Sequence, residues 1–172
     1  RLDGVTGVQT CALPISFLDN ERWADARARV DAALAERLPA GGPDALCAAL
    51  RAAVFPGGKR LRPLLALAVA EMLGRPPERV LDAACAVEMA HAASLILDDL
   101  PCMDDAEERR GRPAVHRAFG EATALLAAVS LLAEAFHLTA RNAEVIGQPE
   151  NAAAAVARLR CALGVGGLCG GQ

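Results

Sequence analysis

The chain has 172 residues and a formal net charge of −3, so it is long enough for one domain and lacks the overall basic charge typical of nucleic-acid-binding proteins. Apolar residues make up 53% of the sequence, which excludes a disordered chain and predicts a buried core. Aromatic residues make up only 3%, whereas alanine occurs 39 times, and this favours closely packed helices over a β-sandwich or barrel. Of the 18 basic residues only one, Lys59, is a lysine.

Cysteine, histidine and apolar residues show none of the patterns of a zinc-binding, disulfide-rich or membrane-spanning protein. The six cysteines and three histidines are scattered without zinc-site spacing, and a core of this size needs no disulfides, so reduced thiols are expected. No uninterrupted apolar run approaches the about 20 residues that cross a bilayer, and the first residues lack the pattern of a secretory signal. We therefore expect a cytoplasmic protein without a membrane span.

Apolar residues recur at helical spacing along most of the chain. Residues 1–16 lack this periodicity, and we interpret them as a tail outside the fold, with 17–172 belonging to a single domain. Asp44 is predicted to cap the second helix, and Pro63 to lie in the first turn of the third. Residues 102–120 are predicted to form a loop, the segment GVGGLCGGQ (164–172) to be irregular, and no strand is expected. The fold class is therefore all-α, with helices predicted over 23–38, 44–54, 64–73, 78–98, 121–146 and 151–164.

An acidic run follows the fourth predicted helix. Asp98 and Asp99 lie at the helix C-terminus, where the helix dipole disfavours carboxylates, and this placement suggests a compensating cation. A turn at Pro101 would bring Asp98 close to Asp104, and such carboxylates suit Mg²⁺ that also binds substrate phosphate oxygens. The alternative is a solvated loop of mixed charge, which is the commoner origin of such runs.

Two basic segments complement the acidic run. Arg109 and Arg110 follow it directly, and paired arginines suit the oxygens of a diphosphate. The segment 57–63 (GGKRLRP) offers two glycines that allow close approach of an anion, followed by the cations Lys59, Arg60 and Arg62. An ordinary turn with solvated charges is again the alternative, and His91, two turns before the acidic run, could equally be a core histidine.

In combination these segments resemble the trans-polyprenyl diphosphate synthases. The resemblance is carried, in family order, by GGKRLRP (57–63), EMAHAASLILDDLPCMDDAEERRGRPAVH (88–116), FGEATALLA (119–127) and GGQ (170–172). It implies an isoprenoid-synthase-type helical bundle around a central cavity. The implied reaction is a Mg²⁺-dependent head-to-tail condensation of isopentenyl diphosphate with an allylic diphosphate.

The resemblance also implies roles for individual residues. The catalytic metal ligands would be Asp98, Asp99 and Asp104. The allylic diphosphate would be contacted by Arg109, with Gln172 close to it. Isopentenyl diphosphate would be bound by Lys59, Arg62, His91 and Arg110. Product length in the family depends on bulk just before the first aspartates, and the small Ala93 and Ser94 favour a C20 product, geranylgeranyl diphosphate, with C15 as the alternative.

The family's second aspartate-rich motif should follow the GGQ motif, but the sequence ends at Gln172. We therefore expect the chain to correspond to the N-terminal part of such an enzyme, to be inactive alone, and to form a homodimer when full length. A non-catalytic regulatory subunit of a heteromeric prenyl diphosphate synthase is the alternative, although such subunits usually lose an aspartate motif. A purely structural helical module would show no Mg²⁺-dependent diphosphate binding, and a class I terpene cyclase would not carry the two basic segments.

Overall fold

The computed structural model describes residues 21–171, so the predicted tail 1–16 and Gln172 lie outside the described residues. Within the described range the chain is helical apart from one very short hairpin, which confirms the all-α prediction. The α-helices are α1 (Glu21–Arg37), α2 (Asp44–Val54), α3 (Leu61–Met72), α4 (Leu81–Asp98), α5 (Val115–Phe119), α6 (Glu121–Val145), α7 (Ala152–Leu163) and α8 (Leu168–Gly171). Short 3-10 turns cover Pro77–Val80 and Pro149–Asn151, and the hairpin pairs β1 (Glu108–Arg109) with β2 (Arg112–Pro113).

The centre of the fold is the contact between α4 and α6, which run antiparallel. The start of α4 meets the end of α6, where the backbone N–H of Ala83 donates to Oδ1 of Asn142 at 3.1 Å. Small side chains let the two helix axes approach closely. The fully buried alanines of these two helices are Ala84, Ala86, Ala93, Ala124, Ala127, Ala128 and Ala135. Larger side chains complete the core around them, among them Leu34, Leu64, Met89, Leu131 and Leu138.

A buried carboxylate ties three helices together at the far end of this contact. The side chain of Asp82 on α4 is 4% exposed and accepts hydrogen bonds from Arg37 of α1 at 2.6 Å and from Arg141 of α6 at 2.7 and 2.8 Å. Burial raises the pKa of Asp82, but the hydrogen bonds and positive charges of Arg141 and Arg37 outweigh it, so the pKa lies below its usual value. The network fixes the register of α4 against α6.

Three local predictions were wrong. Asp44 does not cap α2 but is its first residue, and no side-chain cap bond is present. Residues 102–120 contain the hairpin and α5 because Arg110 and Gly111 both adopt positive φ, 56° and 72°, as a two-residue type I′ turn requires. The end of the chain forms α8, where a Cβ at Gly170 would lie only 1.8 Å from the carbonyl oxygen of Val165, so glycine permits this tight turn.

Three helical stretches are long and apolar enough to cross a bilayer, judged by length and composition alone: Pro77–Asp98, Glu121–Val145 and Pro149–Gly171. None of these stretches is an uninterrupted apolar run, because each contains charged residues. In the first stretch 61% of the apolar window is buried inside the fold, and in the third none of it is. Most apolar residues of the first stretch therefore pack in the protein core.

Candidate active site

The loop after α4 folds back onto the end of that helix. The backbone N–H of Asp104 donates to the carbonyl oxygen of Asp98 at 2.9 Å, and the N–H of Ala106 donates to that of Asp99 at 3.1 Å. These bonds satisfy carbonyls that the helix terminus would otherwise leave unpaired. The loop thereby brings Asp104 back beside Asp98, the last residue of α4, as the sequence predicted.

The carboxylates of Asp98 and Asp104 suit Mg²⁺ that is bound jointly by protein and ligand better than a metal ion held by protein side chains alone. Residues 21–171 contain no group of three or more histidine, cysteine or acidic side chains that could hold a metal ion. Mg²⁺ commonly binds through one or two carboxylates, with water and substrate phosphate completing its shell. Asp98 is half-buried and Asp104 is exposed, so this pair can offer two carboxylates to a metal that also contacts a ligand.

Asp99, which was predicted to be a metal ligand together with Asp98 and Asp104, does not join this pair. Its side chain is only 3% exposed, and both carboxylate oxygens accept hydrogen bonds from Nε of Arg109, at 3.0 and 3.1 Å, with a further bond from Nη2. This bond to Asp99 and the negative charge of neighbouring aspartates raise the pKa of Arg109, while burial opposes them. Asp99 therefore orients Arg109, whose side chain remains 38% exposed and can still contact a diphosphate.

The hairpin brings the second basic segment against the first. The turn between its strands places Arg109 opposite Arg112 and leaves Arg110 at the tip. A Cβ at Gly58 would lie 3.2 Å from Nη2 and 3.3 Å from Cζ of Arg110, so the guanidinium lies directly over the Gly58 backbone. Segments more than fifty residues apart in sequence therefore form one cationic surface.

The three cations of segment 57–63 are not equivalent. Lys59 and Arg62 are exposed, which leaves their charges accessible to a ligand. Arg60, which the sequence suggested as a third anion-binding charge, is instead buried and pairs with Glu88 and Asp31. A solitary acid, Glu88, in the apolar part of α4 was the one sequence signal for this pair.

His91 lies on α4 beside this surface and is half-buried. Burial lowers its pKa below the usual 6.5, the charge of Arg62 lowers it further, and the arginines of the hairpin add to this, while Glu88 opposes them. The charges of Arg62 and Arg110, two of the predicted isopentenyl-diphosphate ligands, act on His91, as does that of Arg109, which was predicted to contact the allylic diphosphate. Lys59 lies in the same segment as Arg62.

An apolar cavity of about 670 Å³ opens beside the carboxylate pair. Its walls come from α4, α6 and the segment from α7 to α8, with Asp98 in the lining. Down the α4 wall follow Ser94 and Ala90, and down the α6 wall Leu125, Leu132 and Phe136. Ser94 thus lies on the cavity as predicted, but Ala93 is fully buried on a different face of α4 and does not line it.

Phe136 was missed by the sequence reasoning. Because α4 and α6 run antiparallel, Phe136 is the cavity-lining residue of α6 that lies farthest along the helix from the Asp98 end, as Ala90 is on α4. It is therefore the large aromatic side chain at the deep end of the cavity. Its position on a helix distant in sequence from the aspartates explains why residues just before Asp98 gave no hint of it.

Comparison with known proteins identifies the architecture. The polyprenyl synthetase family matches residues 43–166. The chain belongs to this family. It is 45% identical over 165 residues to geranylgeranyl diphosphate synthase of Pantoea ananas, which covers 94% of this chain and 54% of that protein. It is 46% identical over 144 residues to geranylgeranyl pyrophosphate synthase 12, chloroplastic, of Arabidopsis thaliana, covering 83% of this chain and 40% of that protein.

A solved structure agrees with the sequence relatives. The apo FPP/GFPP synthase of Zymomonas mobilis superimposes with a TM-score of 0.80 at 37% identity, over 86% of this chain and 54% of that one. The polyprenyl synthetase chain described here therefore has an isoprenoid-synthase fold. It spans about half the length of these relatives.

Proposed function

We propose that the chain is part of a Mg²⁺-dependent prenyltransferase that condenses isopentenyl diphosphate head-to-tail with an allylic diphosphate. The observation that carries the proposal is the position of the carboxylate pair Asp98 and Asp104, beside an apolar cavity and close to a cationic surface. A ligand with an anionic head and a long apolar tail matches this arrangement. The relatives named above are synthases of prenyl diphosphates.

The residues of the chain supply binding and orientation for the reaction. Asp98 and Asp104 would hold Mg²⁺, which when bound neutralises the diphosphate that leaves the allylic carbon. Arg109, oriented by Asp99, would contact the same diphosphate. Because the cavity wall is almost entirely apolar, it would exclude water from the allylic cation until the isopentenyl double bond attacks.

The isopentenyl diphosphate would lie on the cationic surface. Lys59 and Arg62 offer exposed charges, and Arg110 lies over Gly58 beside them. His91, whose pKa is lowered, is neutral near pH 7 and can donate one hydrogen bond to a phosphate oxygen. The two diphosphates would then approach each other at the end of α4.

The depth of the cavity supports a product of C20 or C15. Ala90 lies eight residues before Asp98, and a helix rises 1.5 Å per residue, so the end of the cavity marked by Ala90 and Phe136 lies about 12 Å below the carboxylates. An extended isoprene unit contains four carbon–carbon bonds and spans about 5 Å. A depth of about 12 Å accommodates two such units, which give C15 after one further condensation, and part of a third, which would lie beside the Phe136 ring and give C20.

Homodimer formation is proposed through the outer face of α6. Leu126 and Val129 are 58% and 63% exposed there, and apolar side chains at this exposure on one helix face are typical of interfaces. Light scattering of a chain extended to the length of its relatives tests this: a monomer at micromolar concentration would contradict it.

The enzymatic proposal is tested with such an extended chain, labelled isopentenyl diphosphate and an allylic diphosphate. We expect Mg²⁺-dependent formation of a longer prenyl diphosphate, and a loss of rate of at least about a hundredfold in Asp98→Asn and Asp104→Asn. Asp105→Asn is the matched control, because this exposed carboxylate lies in the same loop but pairs with Arg117. Absence of product from the unsubstituted chain, or equal rates in all three variants, would contradict the proposal.

A further inference from the structure

A buried arginine lies beneath the cationic surface. The side chain of Arg60 is 1% exposed; its Nε donates to Oδ1 of Asp31 on α1, and its Nη1 donates to Oε1 of Glu88 on α4, both at 2.8 Å. Its Nη2 donates to the carbonyl oxygen of Val54 at the end of α2 at 2.9 Å. One guanidinium therefore joins segment 57–63 to three helices.

The backbone of the segment is built around this guanidinium. A Cβ at Gly57 would lie 2.1 Å from Cζ and 2.2 Å from Nε of Arg60, so the planar group occupies the space of any larger residue at 57. Arg60 itself adopts a left-handed conformation, with φ 51°, immediately before α3. Its Cζ also lies 5.4 Å from the centre of the Phe55 ring. The path of the segment and the buried guanidinium therefore depend on each other.

The ion pair with Glu88 connects segment 57–63 to α4, the helix that carries His91. Glu88 is itself 5% exposed and precedes His91 by three residues on α4, so the two lie on the same side of that helix. The exposed Lys59 and Arg62 flank Arg60 in sequence. The Arg60–Glu88 pair therefore sets the distance between the exposed cations of the segment and His91.

We propose that Arg60 is a positioning residue for isopentenyl diphosphate binding. It contacts no substrate, and it holds segment 57–63 so that Lys59 and Arg62 stand opposite His91. The inference rests on the proposed function. Because misplacement of a binding group by about 1 Å can cost orders of magnitude in rate, a displaced segment should weaken use of isopentenyl diphosphate selectively.

Steady-state kinetics of the extended chain test the inference in two variants. Gly57→Ala keeps every charge but forces the guanidinium to move. Arg60→Leu with Glu88→Leu removes both buried charges together, because removing one alone leaves the other unpaired and can unfold the chain. In both variants we expect the KM for isopentenyl diphosphate to rise at least about tenfold, with the KM for the allylic diphosphate within about twofold of the unsubstituted value.

The matched control removes a buried ion pair elsewhere in the fold. Asp82→Leu with Arg37→Leu lies at the far end of α4 and leaves only Arg141, which is 39% exposed to solvent, without this partner. We expect it to leave both KM values within about twofold of the unsubstituted chain. The inference is overturned if the Arg60 and Glu88 double variant keeps its melting temperature and the original KM, or if the control raises the KM equally. If the unsubstituted chain forms no product, the proposed function fails and the inference falls with it.

Discussion

Removing the aromatic ring of Phe136 should lengthen the product by about one isoprene unit. The ring and Ala90 line the end of the cavity farthest from Asp98, which for Ala90 is about 12 Å at 1.5 Å per residue. Because an extended unit spans about 5 Å, truncation to alanine makes room for roughly one more unit before the chain meets the next turn of α4 and α6. We therefore expect Phe136→Ala to lengthen the longest major product by one unit, from C15 to C20 or from C20 to C25.

The opposite change tests the same geometry. Ser94 lies four residues before Asp98, about 6 Å down the cavity, so Ser94→Phe should leave room for roughly one unit and shorten the product to C10. Met72→Ala is the control, because Met72 is exposed and does not line the cavity. Products are identified by chromatography after dephosphorylation, with circular dichroism to verify folding. An unchanged product distribution in both Phe136→Ala and Ser94→Phe would refute this account of the cavity.

The remaining predictions concern stability and titration. Asp82→Asn should lower the free energy of unfolding by about 3–5 kcal/mol in urea at pH 7, whereas the exposed Glu36→Ala should change it by less than about 0.5 kcal/mol. Because the pKa of Asp82 is lowered in the folded state, its charge stabilises the fold above the unfolded pKa, and this stabilisation is lost as the pH falls through the folded pKa. The difference in unfolding free energy between Asp82→Asn and the unsubstituted chain should therefore narrow below about pH 4, and a constant difference would contradict this. The pKa of His91 is lowered from its usual value of 6.5. Nuclear magnetic resonance titration should show this pKa rising when inorganic diphosphate is added, because a nearby anion favours the imidazolium. An unchanged pKa would mean that the anion binds elsewhere. Burial raises the pKa of Cys85 to about 12, so mass spectrometry should find Cys85 unmodified by iodoacetamide at pH 8 while the exposed Cys102 is alkylated; modification of both in the folded chain would contradict the buried position.

The sequence predicted the helices well because their information is local. Periodic apolar residues and helix-breaking glycine and proline located α1, α2, α4, α6 and α7 to within a few residues. The turn that brings Asp104 to Asp98 was also predictable, since Pro101 ends the helix between them. The hairpin at Arg110 and Gly111 was missed because a non-glycine residue with positive φ leaves little trace in the sequence.

The sequence could not show which charged side chains contact each other across the fold. Asp99 was grouped with the other aspartates as a metal ligand, yet burial directs it to Arg109. Arg60 was grouped with exposed cations, yet its neighbours Asp31 and Glu88 come from two other helices. Residue type suggested charge in each case, but only tertiary contacts distinguish a charge offered to a ligand from one already paired.

The central claim is that Asp98 and Asp104 bind an allylic diphosphate through Mg²⁺ beside the apolar cavity. Calorimetric titration of the extended chain with an unreactive allylic thiolodiphosphate, with and without Mg²⁺, tests it most directly. We predict that binding weakens at least about tenfold when Mg²⁺ is removed or when either residue is changed to asparagine. Equally tight binding without Mg²⁺, or in both variants, would contradict the claim.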